Sequence, residues 1–67
     1  MGQFRVRIYQ GGVWDRQEPR RLQAATPLEA AEKACGERLV GTGPLGKLRA
    51  ETWPADKPEE KSAFFSP

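Results

Sequence analysis

TPLEAAEKACGERLVG, residues 26–41, decides the fold because it carries the one clear helical periodicity of the chain. Thr26 is followed by Pro27, and Glu29 stands three residues after the threonine. This is a capping-box pattern in which the proline pre-sets the first helical turn. The pattern predicts that a helix begins directly after Thr26.

The apolar residues of this segment indicate which helix face is buried. They recur three or four positions apart, which places them on one side of a helix. The predicted inward stripe is Leu28, Ala31, Cys35 and Leu39, widened by Ala34. Gly36 indicates either a close approach to a strand or an early helix end, and Gly41 is the predicted C-terminal stop.

The segment QFRVRIY, residues 3–9, alternates strictly between apolar and polar side chains. A period of two over this length predicts a half-buried strand. Its inward residues are Phe4, Val6 and Ile8. Its outward residues are Gln3, Arg5, Arg7 and Tyr9.

A returning strand is predicted after the Gly11-Gly12 pair, which suits a tight hairpin turn. Val13 and Trp14 begin this strand, and Pro19 breaks or bulges it because proline offers no ladder donor. The better half is expected at residues 20–25. There Leu22 and Ala24 point inward, and Arg21 and Gln23 point outward.

Two further segments follow the helix. KLRAETW, residues 47–53, alternates again and predicts a strand with Leu48, Ala50 and Thr52 on one face. SAFF, residues 62–65, predicts a short fourth strand or an apolar tail. The expected organisation is a compact domain over residues 1–53, followed at 54–67 by a proline-containing linker and this strand or tail. The predicted fold class is α+β, an antiparallel sheet of three or four strands with one helix on one face, in the order β-β-α-β.

Composition excludes several function classes. The 67 residues carry a net charge of +2, one cysteine and no histidine. A lone cysteine closes no internal disulfide, and the usual zinc-ligand sets are missing, so we expect no metal or other cofactor. Cys35 lacks a histidine partner and is expected to pack in the core. We find no catalytic constellation and predict that the protein is not an enzyme. No apolar run reaches the about 20 residues needed to span a bilayer, so we expect no membrane partner. The single cysteine favours a reducing compartment, and the expected location is the cytoplasm.

GTGPLGKLR, residues 41–49, resembles part of the phosphate-binding loop of nucleotide hydrolases. That loop follows a strand and precedes a helix, whose N-terminus faces the phosphates. Here the predicted order is reversed, and Leu48 stands where the magnesium-binding serine or threonine belongs. The segment is therefore interpreted as a connection between helix and strand.

The outward sheet face is the best candidate for binding. If the strands align as predicted, it combines basic groups with aromatic ones, residue types that suit either a protein interface or nucleic-acid binding. A purely solvated face is the third interpretation. A protein partner is preferred because +2 is a small charge surplus for a nucleic-acid binder. The predicted partner-binding residues are Arg5, Arg7, Tyr9, Arg21, Arg49 and Trp53.

Other aromatic residues leave alternatives open. Trp14, near the hairpin tip, is either a lid on the core or an exposed anchor. Phe64 and Phe65 are adjacent, so in a strand only one of them faces the core. The other is exposed or lies at an interface, which makes a homo-oligomer through an edge strand a further expectation.

The order of a strand pair, a capped helix beginning at AATPLEAAEKA and then further strands is widespread in small bacterial and phage accessory proteins. It resembles the architecture of some phage-encoded inhibitors of bacterial defence, including certain anti-CRISPR proteins. The resemblance covers the order of elements alone. Such a resemblance does not by itself indicate a function. Because the chain lacks catalytic equipment and has an outward basic and aromatic sheet face, we expect a small non-enzymatic inhibitor or adaptor that works through a protein–protein interface. The alternative is a small nucleic-acid-binding domain that uses the same face.

Overall fold

Alternation between apolar and polar side chains builds an antiparallel sheet around its N-terminal strand. A computed structural model describes residues 2–67 and shows five strands with one helix packed on one face, which confirms the α+β prediction. The elements are β1 (Gly2–Gln10), β2 (Val13–Trp14), β3 (Arg20–Ala24), α1 (Pro27–Cys35), a 3-10 turn (Leu45–Lys47), β4 (Leu48–Pro54) and β5 (Ser62–Phe65).

Strand β1 is central and pairs along both of its edges. One edge pairs with β4, where Val6 lies opposite Thr52, and β4 in turn pairs with β5. The other edge pairs with β2 near its end and with β3 along its first half. All of these pairings are antiparallel, so every strand shares the two faces set by β1.

The turn between β1 and β2 is a two-residue hairpin, as predicted. Gly11 and Gly12 both have positive φ, 59° and 82°, which is the backbone form that glycine adopts without a steric penalty. Beyond this turn the pairing slips. Between the Tyr9–Trp14 and Val6–Arg20 pairs lie two residues of β1 and five residues of the returning chain. The segment that contains Pro19 therefore bulges out and divides the predicted second strand into β2 and β3.

Helix α1 begins as predicted and ends earlier. The Glu29 backbone N–H donates to Thr26 Oγ1 at 3.1 Å, and the Ala25 N–H donates to the Glu29 carboxylate at 3.3 Å. Gly36 has φ 71° and closes the helix as a left-handed cap, with its N–H donating to the Glu32 carbonyl. The prediction that Gly41 stops the helix was wrong, because the earlier glycine already provides that cap.

The buried face of α1 consists of small residues. Ala30 and Ala31 are fully buried, and Ala34 and Cys35 pack against the same cluster. Leu28, predicted to point inward, is 38% exposed. Ala31, Ala34 and Cys35 thus lie inward as predicted, whereas Leu28 does not and Ala30 is buried in addition. Alanines allow the helix backbone to approach the sheet closely, which leaves no room there for leucine.

The core lies between α1 and the sheet. Phe64 of β5 contributes to it, while its neighbour Phe65 is only partly buried and forms a bridge with Val40. Leu48, predicted to be inward, is only partly buried. The buried apolar cluster is Phe4, Val6, Ala24, Ala30, Ala31, Leu39, Ala50 and Phe64, with Ile8, Leu22, Ala34 and Cys35 packed against it.

Candidate partner-binding face

The face of the sheet opposite α1 is covered by no helix of the described chain. We call it the open face. Its side chains come from the outward positions of four strands and from β2. They are Gln3, Arg5, Arg7 and Tyr9 of β1, Trp14 of β2, Arg21 and Gln23 of β3, Glu51 and Trp53 of β4, and Ala63 of β5.

Arg7 lies between two tryptophans. Its guanidinium carbon is 5.4 Å from the centre of the Trp14 ring and 5.5 Å from that of Trp53. Its Nη1 donates to Glu51 Oε1 at 3.3 Å, and Glu51 stands directly opposite it on β4. Cation–π contacts and this ion pair hold Arg7 in place. Most of the charge of Arg7 is therefore engaged within the chain.

The ring of Trp53 is covered by two cationic side chains. Besides Arg7, Lys61 approaches its ring, with Nζ 5.2 Å from the ring centre. Trp53 is only 7% exposed although it lies on the side of the sheet away from the helix. The two cationic side chains thus form a lid on this indole. Little of its ring is available to stack against a base or another aromatic group.

Arg5 and Arg21 face each other across β1 and β3. The Ala55 N–H donates to the Gln3 carbonyl, so the backbone groups of Gln3, and of Arg5 two residues later, point away from β3. Arg5 and Arg21 are therefore a non-hydrogen-bonded pair. In such pairs the Cα atoms lie about 4.5 Å apart and the side chains are close.

This pair of like charges has no acidic partner. Within residues 2–67, no carboxylate lies within ion-pair distance of Arg5 or Arg21. A cleft of about 450 Å³ lies beside them and is also lined by Glu18 and Pro19. Like charges directly opposite each other on a sheet destabilise the fold. The arrangement places a concentrated positive charge on an accessible surface.

The structure does not bring Arg49 to the open face. A register shift lies between Leu48 and Ala50, and it turns Arg49 out of the alternation of β4. Its Nε donates to Glu37 Oε1 at 2.8 Å and its Nη1 to the Tyr9 carbonyl at 3.2 Å. Arg49 therefore ties the chain that follows α1 to the sheet, on the helix side. A bulge of this kind leaves no sign in the apolar pattern.

Trp14 is the most accessible aromatic residue of the open face. It is 44% exposed and stands opposite Tyr9, which is partly buried. The hairpin that carries Trp14 packs closely against the 3-10 turn before β4. A Cβ atom at Gly12 would lie only 2.5 Å from the Leu45 carbonyl oxygen. The structure thus resolves the open question about Trp14 in favour of exposure.

Two ionisable groups away from the open face, Glu29 and Cys35, have pKa values shifted from their ordinary values. The pKa of Glu29 is lowered by its hydrogen bond with Lys33 and by that with the Ala25 N–H. Burial raises the pKa of the Cys35 thiol, which donates to the Arg49 carbonyl at 3.7 Å. A raised thiol pKa keeps Cys35 protonated near neutral pH, and a protonated thiol is a poor nucleophile.

Of the six predicted residues, the structure assembles five on one face, namely Arg5, Arg7, Tyr9, Arg21 and Trp53. Sequence reasoning missed the lid formed by Lys61, which comes from a polar segment with no strand pattern. It also did not pair Glu51 with Arg7, although the alternation of β1 and β4 already places both outward. Residues 2–67 contain no cluster of three or more acidic or cysteine side chains suited to a metal ion.

Within the described chain, no helix has both the length and the apolar character to cross a bilayer. Comparisons of the chain with models of protein families, with curated proteins and with solved structures found no match.

Proposed function

We propose that the chain is a small non-enzymatic protein that binds a partner protein through the open face, as a bacterial or phage inhibitor or adaptor. One observation carries the proposal. On a sheet face that no helix covers, Arg5 and Arg21 have no acidic partner, and Trp14 projects from the same face on the far side of Arg7. Arginine and tryptophan are the residue types most enriched at the energetic centres of protein interfaces.

The alternative, nucleic-acid binding, has weaker support on this face. Of the two tryptophans on the open face, Trp53 is covered by Arg7 and Lys61, which leaves Trp14 as the exposed indole for base stacking. A protein that neutralises about 6 to 10 phosphates of DNA does so with a comparable number of lysine and arginine side chains. Of the cations on the open face, Arg7 is already paired with Glu51. The two unpaired arginines and Lys61 are few for that task.

Trp14→Ala is the variant that tests the proposal, with Leu45→Ala as its matched control. Both residues are large, apolar and exposed, but Leu45 lies in the loop before β4 and outside the open face. A tagged chain is used to capture proteins from bacterial lysate, with nuclease treatment before washing. We expect wild type and L45A to retain the same defined protein, and W14A to lose at least about tenfold in retention.

Two outcomes would contradict the proposal. Equal retention by W14A and wild type would exclude the open face as the interface. Loss of all captured material on nuclease treatment would favour the nucleic-acid alternative, which a steep fall of affinity with salt would then support.

A further inference from the structure

We propose that Arg5 and Arg21 form a carboxylate-binding site, and that the partner presents an acidic peptide segment to it. This inference rests on the proposed function, since it names the chemistry of the partner that the open face receives. The occupant is a run of aspartate or glutamate side chains in a protein. The other candidates, a nucleic acid and a second copy of this chain, are outcomes of the test below.

The geometry of the pair supports the site. A non-hydrogen-bonded pair in an antiparallel sheet brings its two side chains closer together than any other position on that face. Arg5 and Arg21 occupy such a pair and point to the same side of the sheet. Each guanidinium offers a planar fork of N–H donors that matches the two oxygens of a carboxylate. One carboxylate between them satisfies both forks and relieves their mutual repulsion.

The surroundings favour a protein acid over a nucleic acid. Arg7, the next outward residue of β1, already has a carboxylate, because Glu51 stands opposite it on β4. The open face therefore contains one arginine–carboxylate pair within the chain and, beside it, two arginines without one. Exposed Trp14, on the far side of Arg7, offers an apolar contact for the rest of a peptide.

Glu18 acts as a competitor of the incoming carboxylate. It lines the same cleft as Arg5 and Arg21 but lies beyond ion-pair distance of either. Its negative charge lowers the local positive potential and disfavours a second carboxylate nearby. Removal of this charge is therefore expected to strengthen binding of an acidic peptide, a sign that overall loss of structure would not produce.

The experiment measures the affinity of a hexaglutamate peptide by calorimetry at low ionic strength, for the full chain and three variants. Arg21→Gln removes half of the site, Glu18→Gln removes the competitor, and Arg38→Gln is the control. Arg38 is exposed, follows α1 and lies outside the open face, and its change alters the net charge as much as R21Q does. We expect R21Q to weaken binding about three- to tenfold, E18Q to strengthen it about twofold, and R38Q to change it by less than about twofold.

Several results would overturn the carboxylate site. One is an equal loss in R21Q and R38Q, which indicates unspecific attraction. Others are no measurable binding by wild type, and tighter binding of a hexathymidylate oligonucleotide than of hexaglutamate. A rise in molecular mass with chain concentration that R21Q abolishes would assign the site to a second copy of the chain.

Failure of this inference is distinguishable from failure of the proposed function. The double variant R5Q/R21Q is carried through the capture experiment beside W14A. Full retention by R5Q/R21Q with loss in W14A would contradict the carboxylate site and leave the open face as the interface. Full retention by both variants would contradict the proposed function itself.

Discussion

The two faces of the sheet share the same strands and differ in how completely their interactions are satisfied. Under the helix, Val6, Ala31 and Ala50 are fully buried in a close-packed apolar layer. On the open face, Arg7 packs against Trp53 and pairs with Glu51, whereas Arg5 and Arg21 repel each other without a counter-charge. The first face stabilises the fold. The second leaves Arg5 and Arg21 without a counter-charge, which a partner can supply.

The largest expected effect comes from the helix-covered face. Phe64→Ala removes a core side chain contributed by β5, and loss of a buried phenylalanine costs about 3–5 kcal/mol. The whole domain has only about 3–10 kcal/mol of stability at its size. We expect F64A to lose about 3–5 kcal/mol of unfolding free energy, a large share of that total, as measured by urea denaturation followed by circular dichroism. Phe65→Ala, at the half-buried neighbouring position, is the control, and a similar loss in both variants would contradict the assigned core.

The turn between β1 and β2 positions Trp14 on the open face. Gly12→Ala places a Cβ atom 2.5 Å from the Leu45 carbonyl oxygen at φ 82°, so the turn must shift. We expect a loss of about 2–3 kcal/mol, above the about 1–2 kcal/mol of the left-handed backbone alone. Gly11→Ala has φ 59° and no atom within 4 Å, and we expect only the backbone cost. Equal unfolding free energies for the two variants would contradict the close packing of Gly12 against the Leu45 backbone.

Two arginines of the open face are expected to act in opposite directions. Arg7→Gln removes two cation–π contacts and the ion pair with Glu51, a loss of about 1–2 kcal/mol in unfolding free energy. Arg21→Gln removes a like-charge repulsion with Arg5 and is expected to raise that free energy by about 0.2–1 kcal/mol. Thermal and urea unfolding of both variants measure the difference. Destabilisation by R21Q equal to that by R7Q would show that Arg21 is engaged within the chain.

The smallest expected effect on unfolding free energy concerns Thr52, on the helix-covered face of the sheet. Thr52 is fully buried, and its Oγ1 has no hydrogen-bond partner among the described residues. Thr52→Val keeps the shape and removes the unsatisfied hydroxyl, so we expect a gain of about 1 kcal/mol in unfolding free energy. Thr52→Ser, which keeps the hydroxyl and loses a methyl group, is the control and should destabilise. A loss of stability in T52V would mean that the hydroxyl is satisfied after all.

Features that depend on local backbone chemistry could be predicted from the sequence. Strict alternation in β1 places Arg5 and Arg7 outward and Phe4 inward, because a strand has only two sides. The Thr26 cap and the Gly11-Gly12 turn are also readable, since each depends on local backbone chemistry.

Features that depend on tertiary contacts could not be predicted in the same way. The register shift that turns Arg49 toward Glu37 involves the pairing of β4 with β5, which no local pattern encodes. The approach of Lys61 to Trp53 depends on the path of a polar segment. The choice between Gly36 and Gly41 as the helix end also depended on packing, because both glycines can adopt the cap conformation.

The most direct test of the account is a nuclear magnetic resonance titration of the ¹⁵N-labelled chain with the purified partner protein retained after nuclease treatment. The account predicts that the backbone amides of Arg5, Arg7 and Arg21 and the indole N–H of Trp14 shift or broaden, while those of α1 remain unchanged. Changes confined to α1 and the loop that follows it would contradict the claim that the open face is the binding surface.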